Sequence, residues 1–165
     1  MFDLKLLSRE SIPAALDKAT RYRLLNESGE SESICHDVLR IDPDNQQALV
    51  LLLLAMSDRF SKNYAVGVTR AQEILARLHD PYERAYYAGI LTERRGKALL
   101  HQGSIGAVGA AYGFLREAME HYEQAEKIRP PGNDDPLLRW NACARIIMQN
   151  KLSAPSDERI DLPLE

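Results

Sequence analysis

The side chains that could do chemistry in this 165-residue chain are few, and their spacing decides most of what they could do. Glu117 and His121 stand four apart, so on a helix they share a face and the carboxylate could orient the imidazole. No third ligand or nucleophile accompanies them, and on a charged helix face such a pair reads as a solvated contact. Cys35 and His36 are adjacent, about 100° apart around a helix, and do not converge on one ion. No zincin pattern occurs and no Ser, His and Asp set stands out.

Gly103, Gly106 and Gly109 would suit a phosphate cradle after a strand, but no strand signal precedes them. The stretch from Gly89 to Gly96 and Lys97 has the wrong interval for a P-loop, and Ala98 stands where Ser or Thr is needed. The glycines at 103–109 read as a flexible turn between two long helices. These residues predict a non-enzyme with no catalytic residue, no cofactor and no metal.

The elements that must position these groups are helical throughout. Apolar residues recur at helical spacing in Ala15, Ala19 and Tyr22; in Ile34, Cys35, Val38 and Leu39; in Ala71, Ile74, Leu75 and Leu78; and in Leu115, Ala118, Tyr122 and Ala125. Pro43, Pro81 and Pro130 each close such a pattern. The periodicity predicts helices near 12–26, 31–41, 46–60, 65–79, 82–101, 108–128 and 136–150, one domain between a lead-in at 1–11 and an extended tail at 151–165. The last helix acts as a cap.

Composition narrows the partners. A net charge of −3 and a pI near 5.8 argue against a broad nucleic-acid footprint, although Arg94, Arg95 and Lys97 cluster. Charges interrupt the N-terminus where a secretory signal needs an apolar core, and the apolar run from Ala48 to Met56 is too short to cross a bilayer. Two widely separated cysteines read as buried thiols in a reducing compartment, so a cytoplasmic location is expected.

Near the end of the chain, Ala118, Tyr122, Ala125 and Pro130 are followed by Trp140, Cys143, Ala144 and Ile147. Their order of small, aromatic and turn residues resembles the tetratricopeptide (TPR) family, half of one repeat running into the next. Ala15, Ala19, Tyr22, Val38, Ile41 and Pro43 repeat it with departures at Lys18 and Ser31, and Gln46, Ala48, Leu49, Leu52 and Leu53 begin a second unit lengthened around 60–66. Tyr87, Ile90 and Leu91 open the third. The resemblance covers roughly residues 12–150 and implies an all-α, right-handed α-α superhelix of three helical hairpins and a capping helix.

What the resemblance implies about function is protein or peptide binding on the concave face. Carried over, that face is Leu16, Thr20 and Arg23; Val50, Leu51, Leu54 and Asp58; Ala88, Thr92 and Arg95; and Asn141, Arg145 and Met148, apolar at one end and basic at the other. The family's two-carboxylate clamp is absent, since Leu16, Thr20, Leu51, Ala85 and Gly89 stand at its positions. The alternatives are a homo-oligomerisation module with a self-occupied groove, and a small-anion receptor built on Arg95, Asn141 and Arg145.

One observation favours self-occupation. The helix from Ala48 to Met56 is apolar on every side and needs a cover. Either the tail, with Ile160, Leu162 and Leu164 alternating, or a twin helix in a homodimer would supply it. Trp140 and Tyr122 are expected to be buried as gap-fillers beside the small residues.

Overall fold

The computed structural model describes residues 2–60 and 64–154, the side chains of 64–66 and of 105 excepted. Among them every regular element is a helix. A single 3-10 turn precedes α1 (Ile12–Leu24), α2 (Ser28–Ile41), α3 (Gln46–Ser57), α4 (Tyr64–Leu75), α5 (Pro81–Gln102), α6 (Ile105–Ile128) and α7 (Asp135–Gln149). Consecutive helices pack on one another, and α5 against α6 is the most extensive pairing.

Local signals explain the boundaries. The Asn45 side chain accepts the Ala48 N–H at 2.9 Å to start α3, and Asp80 accepts that of Tyr82 at 2.9 Å to start α5. Pro81 therefore opens α5 as its first residue, where its missing N–H costs nothing, instead of closing α4. Only Gly103, left-handed at φ +70°, and Ser104 form the turn between α5 and α6. Gly106 and Gly109 lie inside α6, so the expected flexible glycine turn shrinks to two residues; Ala107, Ala110 and Ala111 beside them favour continuing the helix.

Two hydrophobic clusters form the interior. The first gathers α1 to α4 and one side of α5 at Leu91 and Ala98, with Ala19, Cys35, Val38, Leu49 and Leu53 fully buried. The second joins α5, α6 and α7 around Leu115, Ala118, Tyr122 and Cys143. Both cysteines are free thiols inside these clusters.

The apolar helix α3 is covered by its own chain. Its neighbours α1, α2 and α4 bury Ala48, Leu49, Leu51, Leu52, Leu53 and Met56, and Leu54 turns to the second cluster. A helix enclosed on most sides has no need of a polar stripe, so neither the tail nor a twin helix is required as its cover. The tail residues Ile160, Leu162 and Leu164 lie outside the described residues.

The small positions Ala19, Ala118 and Ala125 are solvent-free, as the size pattern predicts. Tyr122 is fully buried too, but Trp140 is half-buried: its indole N–H reaches out to Glu123 at 2.9 Å while its ring packs on the second cluster. An indole needs an acceptor, and a surface carboxylate provides one.

Candidate binding site and the charges around it

Helix α5 organises the polar interior. Its Glu93 is buried at 1% exposure, and burial of a carboxylate is tolerated only with partners. Three converge on it: the Tyr122 hydroxyl of α6 donates at 2.6 Å, Lys97 pairs one turn along α5, and Arg139 of α7 approaches at 3.5 Å. Burial and then the Glu93 charge push the Tyr122 hydroxyl far above its ordinary range. Burial would lower Arg139, but Glu93 holds it above its usual value.

Backbone geometry makes room for this cluster. A Cβ at Gly89 would lie 2.5 Å from the Tyr122 ring, so the close approach of α5 to α6 requires glycine there. The neighbouring Cys143 thiol is pushed up to about 12 by burial, with Glu93 adding to it. A thiol held protonated at neutral pH is no nucleophile.

The basic residues of α5 are divided. Arg94 donates to the Leu54 carbonyl at 2.9 Å, to the Ser57 hydroxyl and to Asp58 at 2.8 Å, all at the end of α3. Burial lowers its affinity for its proton, which Asp58 partly restores. Asp58 also accepts Arg23 of α1 at 2.7 Å and Ser28 of α2 at 3.4 Å. Lys97 serves Glu93, and the Arg95 guanidinium lies 4.2 Å over the Phe114 ring. The cluster is thus no continuous basic patch.

Ala88, Thr92 and Arg95 come together in a cavity of about 220 Å3 between α4, α5 and α6. Phe60, Val68, Leu75 and Leu91 supply apolar walls, and Gln72, Glu117 and His121 supply polar ones. The Glu117–His121 pair, 3.8 Å apart, sits here beside Arg95. An apolar wall with polar groups on one side can seat a single apolar side chain and orient the chain that carries it.

The other predicted groove residues are placed elsewhere. Leu16 and Leu51 are buried, and Val50 and Leu54 are half-buried in the clusters. Thr20 is exposed with its hydroxyl on the Leu16 carbonyl at 3.0 Å, and Arg23 and Asp58 are paired. Asn141, Arg145 and Met148 are exposed on α7 and are absent from the lining of the Arg95 cavity. An anion pocket combining Arg95 with Asn141 and Arg145 is therefore not what this cavity builds.

Among the described residues no group of three His, Cys, Asp or Glu side chains is placed to hold a metal ion, and no helix is long and apolar enough to cross a membrane. The spacing rules missed the Glu93 cluster, whose partners are 29 and 46 residues away in sequence. Its one local trace is a carboxylate directly after Ile90, Leu91 and Thr92. No protein-family model, curated protein or solved structure matches this chain.

Proposed function

We propose that this chain is a non-catalytic scaffold of the TPR-like kind, a right-handed helical array that holds a protein or peptide, in the cytoplasm. One observation carries the reading: Ala88, Thr92 and Arg95, three positions expected to face a partner, line one cavity with apolar walls and a charged edge. The polar clusters support it, because the buried charges are matched to one another across helices instead of being aimed at a reacting centre. Free, buried thiols at Cys35 and Cys143 fit a reducing compartment.

The test is capture of binding proteins by the full chain and by an Ala88→Phe variant that fills the cavity, read by mass spectrometry with melting curves for both. The scaffold reading expects a reproducible partner that the filled variant loses while remaining folded. Retention of every partner by that variant would remove the cavity from the reading, and no partner at all would remove the reading.

A second reading, a homo-oligomerisation module, is favoured by Leu138 and Met148, which are 64% and 67% exposed on α7. They stand ten residues apart with Asn141 and Arg145 between them on one helical stripe. Sedimentation over a concentration series decides it: a dimer abolished by Met148→Glu supports the module, and a monomer throughout rejects it.

A further inference from the structure

A cavity of about 610 Å3 lies between α2 and α4, away from the groove positions considered so far. Its base is apolar: Leu52 and Ile74 are buried, with Leu39 and Pro43 beside them. Its edge is basic. Arg40, Arg70 and Arg77 stand there with His36, against the single carboxylate of Glu73. That local excess of positive charge is notable in a chain whose net charge is −3.

Among the described residues none of these three arginines is ion-paired, whereas Arg23, Arg59, Arg94, Arg129 and Arg139 all are. Arg77 donates to the Pro43 carbonyl, which holds it at the cavity edge. Like charges gathered around an apolar hollow repel one another, and an acidic ligand would relieve that repulsion on binding.

Spacing selects the kind of ligand. Arg70, Ile74 and Arg77 follow at four and seven positions, so they share one side of α4 and the turn after it. Seven residues of helical rise separate Arg70 from Arg77 by about 10 Å along the axis. An anion alone would leave the apolar base unused, whereas an extended chain advancing about 3.3 Å per residue can present acids along that line and an apolar side chain between them.

We propose that this cavity docks an acidic peptide segment, with an apolar side chain seated on Leu39, Leu52 and Ile74 and carboxylates on Arg40, Arg70 and Arg77. The proposal rests on the scaffold reading and adds a second face to it, with a stated partner chemistry.

The test titrates the full chain into a fluorescein-labelled peptide of alternating Asp and Leu, beside a matched peptide of alternating Lys and Leu. Saturable binding of the acidic peptide alone is expected, weakened about tenfold or more by Arg40→Glu with Arg70→Glu, and weakened further by salt. Both arginines are exposed, so the variant should melt like the parent; Arg70→Ala, expected to give a smaller loss, guards against a charge-reversal artefact. No saturable binding up to about 1 mM, binding untouched by either variant, or displacement by inorganic phosphate as efficient as by unlabelled peptide would overturn the proposal. If lysate partners are lost by Ala88→Phe while the acidic peptide fails to bind, the scaffold reading survives and this docking site does not.

Discussion

Helices α1 to α4 and helices α5 to α7 bury different things. The first group closes on side chains such as Leu49, Leu53 and Val38, and its most buried hydroxyl, that of Ser31, has only the weakly bonding Cys35 thiol one turn along α2 to answer it. The second group closes on Glu93, with a partner from α6, one from α7 and one from α5 itself. Apolar surfaces hold helices together without fixing their offset, whereas a buried carboxylate is tolerable only where each donor arrives. The contrast assigns a fully buried polar centre to the second group, whereas the first keeps its directional contacts at a half-exposed rim, where Asp58 takes Arg23 of α1 and Ser28 of α2.

The largest effect should come from Tyr122→Ala. It removes a fully buried ring and one of Glu93's donors together, so we expect a loss of about 5 kcal/mol in urea unfolding, against about 3 for Leu53→Ala. Equal losses would mean that the carboxylate contributes nothing beyond packing.

Alkaline titration comes next. Burial pushes the Cys35 and Cys143 thiols up to about 12, so the folded chain keeps protons that the unfolded chain releases near pH 9. Stability is therefore full below pH 9 and falls as pH rises toward 12. Because Tyr122 is raised as well, amide exchange in α6 should accelerate with pH more steeply than in α2 once global unfolding is subtracted. Parallel slopes would erase the distinction between the two groups.

Tyr122→Phe keeps the ring and deletes the 2.6 Å bond to Glu93, for an expected loss of about 1.5–3 kcal/mol. Gly89→Ala should cost about 1–3 kcal/mol, and nearly nothing in the Tyr122→Ala background, where the space it collides with is empty. Additivity of the two changes would refute the close approach as the reason for glycine. The smallest effect is a gain: Ser31→Ala removes a buried hydroxyl that only the Cys35 thiol faces and should stabilise by about 0.5–1 kcal/mol, visible as a modest rise in Tm.

The helices were legible because apolar spacing near 3.6 is a local property, and Pro43 and Pro130 mark real ends. Pro81 misled because proline stops one helix and starts another equally well, and only the Asp80 side chain tells which. Gly89 entered the sequence reading only as part of a mis-spaced P-loop and of an absent clamp; its reason lies on α6, beyond the reach of periodicity. Of the candidate site, Ala88, Thr92 and Arg95 were placed together because they share one face of one helix. Their separation from Asn141 and Arg145 depends on how α7 sits on α5 and α6, which the packing of Cys143 and Trp140 in the second cluster and the Arg139–Glu93 contact across 46 residues set together. The basic cavity draws its arginines from α2, α4 and the turn beyond it, positions that no single stretch of sequence displays as a group.

The grip of Arg94 on the end of α3 has a consequence for the order of events during synthesis. Helix α3 carries no basic residue in its own last turn, so its terminal Leu54 carbonyl takes the Arg94 guanidinium, 40 residues downstream. Until α5 has left the ribosome that turn is closed only by local bonds, the Asp58 N–H at 2.9 Å and the Ser57 hydroxyl at 3.0 Å on the same Leu54 carbonyl, and it lacks the charged donor. The end of the third helix thereby gains its cationic partner only when the fifth is made, which couples the two halves of the chain in time as well as in space.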